Sequence, residues 1–313
     1  MKRLLSNTLP EACKARLRPY LDRWKARHLA STSKRLDICA AQLAHVLHLA
    51  GHPPLADKTC LEIGAGWVLS HALVCHLLGA KRVLAADIQP LAHPECLSIA
   101  VRESIPYILQ DILSPFDDYS LLRERVERLL SIKRFDFNVL RGLGVEYISP
   151  VDLAKERLAT TVDFIYSHSV LEHVPQEDVP GLLGNLGSDL STNGTMIHCI
   201  HLEDHDDFIS RPFQFLALPA KAYPRWCETI TGNRMRASSW QKAFSQIDGS
   251  QSRMIYSFSR GDVDLPPHID DSIAYRDEAD LRTSHLGVFT RKNGAACMQV
   301  PVRGRKFHEE ACR

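Results

Sequence analysis

The chain has 313 residues, of which 45% are hydrophobic and 24% charged, and its formal net charge is +1. Its longest apolar runs, such as VLHLA and LVCHLLGA, are far too short to span a bilayer as a helix. A net charge this close to zero gives no bulk attraction to nucleic acid or to an acidic membrane.

The opening MKRLLSNTLPEACKAR turns charged within a few residues and lacks the apolar core of a secretory signal. The nine cysteines show no CxxC spacing, which predicts reduced thiols and a cytoplasmic setting rather than a disulfide framework. Residues 10–29 read as a basic amphipathic helix, and Ser31, Thr32 and Ser33 are N-cap candidates for a second helix over 34–50. The rhythm then changes. TCLEIGA, RVLAADI, VEYIS, VDFIYSHS, TMIHCIHL, SRMIYSFS and HLGVFTRK are short β-rich runs. Helical stretches separate several of them, notably WVLSHALVCHLLGA, stopped near Gly79, and QEDVPGLLGNLGSDL. Buried apolar runs alternating with helices predict an α/β fold with a mostly parallel, doubly wound sheet. The expected organisation is an N-terminal helical lid over 1–52, a ligand-binding domain over 53–295 and a tail over 296–313. Residues 91–142 and 203–250 are too long for simple connections, so each is expected to be a mainly helical cap over the carboxyl edge of the sheet.

CLEIGAGW, residues 60–67, carries the first chemical signal. Glycines directly after a first strand let a ligand approach the backbone, next to the free N–H groups of the helix that follows. A dinucleotide site wants a third glycine in G-x-G-x-x-G, and Leu69 stands there instead. An acid at Glu62, two residues before the first glycine, suits a ligand with a positive group better than a pyrophosphate.

Glu62, Gly64 and Gly66 resemble motif I of the class I S-adenosylmethionine-dependent methyltransferases, (D/E)-x-G-x-G. Further segments extend the resemblance. Asp87 ends the second strand, Asp152 follows the third in VEYISPVDLA, and SVLEHV resembles the loop after the fourth. Asn193–Gly194 sits where the family turns into its fifth strand, and HLGVFTRK is similar to the closing strand. The resemblance spans residues 36–292 and implies a seven-stranded Rossmann-like fold. It implies S-adenosylmethionine as donor, with Asp87 on the ribose hydroxyls and Asp152 on the adenine amino group. Ala65, Ile88, Leu153 and Ser167 would line the same ligand. The 65 positions between Asp87 and Asp152 exceed the family's usual spacing.

Methyl transfer from a sulfonium needs the nucleophile held in line and, for many acceptors, a base. His168 and His173, at the end of the fourth strand, are candidates, since imidazole titrates near neutral pH. A second cluster follows the fifth strand: His198, His201, Glu203, Asp204, His205, Asp206 and Asp207. His173, His201 and His205 are expected to face the acceptor pocket. With Glu172 or Asp206 they make a divalent metal conceivable, although a polar loop without metal is the reading the sequence favours. The aromatic and basic segment 211–244 suits recognition of an organic acceptor. The expected function is methyl transfer to an oxygen or nitrogen of a small biosynthetic molecule, with no nucleic-acid or membrane partner. Two alternatives stay open: chemistry at another carbon of the donor, releasing methylthioadenosine, and donor binding without catalysis.

Overall fold

The computed structural model describes residues 11–205, 207–221 and 232–293, with side chains from residue 16 onward. Seven strands form one sheet in the order β3-β2-β1-β4-β5-β7-β6. They are β1 (Thr59–Ile63), β2 (Arg82–Ala86), β3 (Val145–Ile148), β4 (Val162–His168), β5 (Leu190–His201), β6 (Ser250–Ser259) and β7 (Thr283–Lys292). β1 to β5 run parallel, and β7 is antiparallel to both β5 and β6. The seven strands fall where the periodicity places them. β1, β2 and β4 are almost wholly buried, as strands covered on both faces must be. β6 lies at the edge and is largely exposed.

One face of the sheet is covered by α1 (Glu11–Ala30), α2 (Leu36–Ala50), α3 (Ser70–Leu77), α4 (Leu97–Arg102), α5 (Pro106–Leu113), α6 (Tyr119–Ser131) and α7 (Phe137–Gly142). The other is covered by α8 (Val179–Asp189) and α9 (Ala237–Ser245). Alternate residues of each strand feed the two cores: Cys60, Val83 and Phe164 point to the first, Leu61, Leu84 and Ile165 to the second. A short α10 (Glu278–Leu281) precedes β7 and joins a satellite core of Phe213, Phe215, Leu216 and Ile273.

Three sequence expectations need correction or refinement. Ser31 and Thr32 do not cap α2; their hydroxyls donate back to the His28 carbonyl at the end of α1. The N-cap position of α2 is Arg35, which makes no capping bond. Residues 91–142 hold α4 to α7, and these pack alongside α1, α2 and α3 as one helical layer. Residues 203–250 are less helical than expected. Among the described residues there, only a single turn at Gln214–Ala217 and α9 are helical. The remainder of the aromatic segment, 222–231, and Asp206 lie outside the described residues.

β1 sits at the centre, and the chain winds from it to β2 and β3 on one side and to β4 and β5 on the other. That reversal leaves a crevice at the carboxyl ends of the strands, the place where open α/β sheets bind ligands. Arg236 ties together residues at this end of the sheet. Its fully buried guanidinium donates to the carbonyls of Leu202, Leu281 and Thr283.

Candidate functional site

A cleft of about 470 Å³ opens at that crevice. Gly64, Asp87, Ile88, Asp152, Leu153 and His173 are on its wall. The glycine turn forms the near side. Gly64 and Gly66 both have left-handed backbone, φ 70° and 63°, which glycine adopts without penalty. A Cβ on Gly64 would stand 2.3 Å from Val170 Cγ2, so the loop after β4 closes against the bare backbone. A Cβ on Gly66 would meet nothing nearer than 3.8 Å. Gly66 therefore borders free space, and its N–H donates to Asp87 Oδ2 at 2.8 Å. Leu69, in the position of the missing third glycine, also takes left-handed backbone, φ 64°, at the start of α3.

Asp87 accepts from Gly66 N and, through its other oxygen, from Gln89 N. Each carboxylate oxygen has a second lone pair to offer a ligand. Burial raises its pKa, against the pull of those backbone donors. Asp152 is less free. Its two oxygens take the Lys155 ammonium and the Ala154 N–H, so its own loop uses them.

Other sequence candidates lie behind the cleft. Ser167 is fully buried and bonds His198 Nδ1 at 2.8 Å, so it is a core group and not part of the cleft wall. Ala65 is buried as well, with its N–H on the Ala86 carbonyl. Glu62 is 4% exposed, and His71 Nδ1 lies 3.6 Å from its Oε1. Its Oε2 has no hydrogen bond. Burial pushes its pKa to about 7, with Lys34 opposing. His168 stacks on His71 at 5.5 Å and bonds the Tyr166 hydroxyl at 3.2 Å. Burial drives its pKa down to about 3, which leaves a neutral, weakly basic ring.

The remaining histidines come together. His173 and His205 have ring centroids 4.8 Å apart, His205 and His201 4.5 Å, and His201 and His285 4.1 Å. Two acids flank the row. Glu203 accepts from His201 Nε2 at 2.9 Å and from Arg260 at 3.0 Å, and stays below the usual carboxylate range. Glu172 is 1% exposed, and among the described residues no hydrogen bond of normal geometry reaches either oxygen. Burial raises it to about 8, against weak help from the N–H groups of Glu172 and His201. His285 was not singled out in the sequence. It faces His201 only through the β5–β7 register, which one chain read alone does not reveal. Asn233 was missed too. Its amide donates to the carbonyls of Leu171 and Val174 and so clamps the Leu171–His173 turn.

A seven-stranded sheet wound both ways from β1, a glycine turn after β1 and an acid closing β2 against that turn now stand together. The fold is that of the class I S-adenosylmethionine-dependent methyltransferases. No protein-family model and no curated protein matches the chain. Among solved structures, it is similar to an S-adenosylmethionine-dependent methyltransferase from Mesorhizobium loti, with 14% identity, 79% of this chain and 97% of that one covered, and a TM-score of 0.42. A TehB-like methyltransferase from Corynebacterium glutamicum aligns with 13% identity over 90% of this chain and 100% of that one, TM-score 0.44. The N-methyltransferase NodS from Bradyrhizobium japonicum, in complex with S-adenosylhomocysteine, aligns with 12% identity over 80% and 86%, TM-score 0.37. Strand order and site geometry carry the fold assignment, not these likenesses. No helix among the described residues is long and apolar enough to cross a membrane.

Proposed function

We propose that the chain transfers the methyl group of S-adenosylmethionine to an oxygen or nitrogen of a small organic acceptor. The observation that supports this most is the bond from Gly66 N–H to Asp87, which lines the 470 Å³ cleft together with Gly64. Open backbone meets a buried acid there, as a ribose resting on a glycine turn requires. The cleft is within the size range of small-molecule sites. Behind the turn, Glu62 is a buried acid whose Oε2 has no hydrogen-bond partner among the described residues. The ammonium of the donor's amino-acid arm has the right charge to supply one.

In the reaction the acceptor's lone pair attacks the methyl carbon in line with the carbon–sulfur bond. The sulfonium leaves as a neutral thioether, and the acceptor gives up a proton. The protein's share is to hold the two substrates in contact and to exclude water. His173, on the cleft wall, is the side chain placed to take the proton.

Binding and product analysis test the reading. The expected result is calorimetric binding of S-adenosylhomocysteine, and its release as product when acceptor candidates are screened. Methylthioadenosine as product would replace methyl transfer with chemistry at another carbon of the donor. Absence of binding to either compound would end the proposal.

A further inference from the structure

Glu172, His173 and His205 are held together by elements distant in sequence. Glu172 and His173 belong to the turn after β4, and His205 lies beyond the end of β5. One ligand atom from each lies within 4.8 Å of the other two. Glu172 Oε1 and His205 Nε2 are 3.8 Å apart, beyond hydrogen-bond distance. Both atoms are buried, and among the described residues neither has a hydrogen-bond partner. A buried carboxylate without a hydrogen bond of normal geometry on either oxygen is costly, and native structures almost always satisfy one. An imidazole nitrogen 3.8 Å away is itself without a hydrogen-bond partner among the described residues. A cation between them would resolve both at once.

The geometry points to a divalent transition-metal site formed by Glu172, His173 and His205. Two imidazoles and one carboxylate suit zinc, iron(II) or manganese, and leave coordination positions for other ligands. Bonds of about 2.0–2.2 Å would set ligand atoms roughly 3.4 Å apart in a tetrahedral site, so 3.8 Å needs only a small inward shift. The turn is braced for the task. Asn233 clamps its carbonyls, and the Asn233 N–H donates to the Glu172 carbonyl. Because His173 is also on the cleft wall, the open positions would face the space assigned to the acceptor. The metal would there hold an acceptor oxygen and ease its loss of a proton, which then passes to solvent, because His173 as a ligand no longer has the lone pair to take it. That last step rests on the methyl-transfer reading; the metal site itself does not.

The sequence favoured a polar loop over a metal at this cluster. Burial of Glu172 and the pair of atoms without a protein hydrogen-bond partner among the described residues reverse that preference. His201, Glu203 and His285 form a second group within the same reach. Glu203 there is already satisfied by His201 and by the Arg260 guanidinium, so this group carries no unmet demand for a cation.

Cobalt(II) titration of the chelator-treated full-length chain tests the assignment, with visible absorption reporting the coordination. The expected result is one tightly bound ion per chain. Glu172→Gln and His205→Ala should each weaken binding by at least the roughly 10-fold to 100-fold that loss of even an outer partner costs. His285→Ala should leave cobalt affinity unchanged. Thermal melts confirm that each variant is folded, and calorimetry with S-adenosylhomocysteine reports the donor site separately. No cobalt binding by the wild-type chain overturns the proposal. So does binding that survives in Glu172→Gln and is lost in His285→Ala, which would move the metal to the second group. Lack of donor binding with intact cobalt binding would sink the methyl-transfer reading and leave the metal site standing.

Discussion

The backbone N–H of Gly66 donates to Asp87 Oδ2 at 2.8 Å, locking the turn after β1 to the end of β2. Asp87 thus has two duties: it shapes the glycine turn and presents its remaining lone pairs to the cleft. Asp87→Ala removes both. We expect donor affinity to fall by about 1.5–3 kcal/mol, roughly 10-fold to 150-fold in Kd, read by calorimetry with S-adenosylhomocysteine. Unchanged affinity in a folded variant would show that the ribose does not rest there.

Glu62 gives a prediction in pH. Its ordinary value of 4.5 is raised to about 7 in the folded chain, by burial first. A raised acid holds its proton in the folded state after the unfolded chain has lost it. Stability therefore falls as pH climbs from about 4.5 to about 7, and is flat above. The slope is at most about 1.4 kcal/mol per pH unit, or about 3 kcal/mol over the window. Glu62→Gln should remove that loss. Urea midpoints at pH 5.5 and pH 8 should show the variant gaining on the wild type at the higher pH. Its donor affinity should fall nonetheless. A variant no more stable at pH 8 than at pH 5.5, relative to wild type, would contradict the buried-acid account.

Gly64 and Val170 should be energetically coupled. A methyl at Gly64 would meet Val170 Cγ2 at 2.3 Å and would also have to hold φ at 70°. Overpacking of this kind costs about 1–3 kcal/mol, and left-handed backbone a further 1–2 kcal/mol or so. Gly64→Ala alone should be strongly destabilised. Adding Val170→Ala should restore the packing part but not the backbone part. A double-mutant cycle with no coupling would mean that the loop after β4 relaxes away freely.

Much of the fold was legible in the sequence because buried parallel strands are marked by short apolar runs between helices. The cleft was legible in part. Gly64, Gly66 and Asp87 belong to a local pattern in which chemistry and spacing coincide. Ser167 misled, because its place at the end of β4 looks like a ligand position while its side chain points into the core toward His198. Ser31 and Thr32 misled for a related reason: a hydroxyl between two helices can serve either end, and these serve the earlier one. His285 and Asn233 were beyond reach. Each acts across a distance in sequence that only the register of β5 with β7, or the folding back of residues 232–236, brings to zero.

Asn233→Ala should loosen the Leu171–His173 turn. The substitution strands the carbonyls of Leu171 and Val174, for a loss of about 1–3 kcal/mol in stability. Chemical denaturation measures that loss. Amide exchange at residues 171–174 should quicken in the variant while that of β1 is unchanged at a matched distance from the midpoint. Equal acceleration in both would assign Asn233 a global role instead of a local one.

Arg236 has a dynamic consequence. One guanidinium satisfies carbonyls of Leu202, Leu281 and Thr283, so it joins the exit of β5 to the entry of β7 from within the core. Local opening of either segment would strand a buried cation together with the carbonyls it serves. Such openings are therefore suppressed, and the exit of β5 and the entry of β7 are expected to open as one cooperative unit with their strands rather than to breathe on their own.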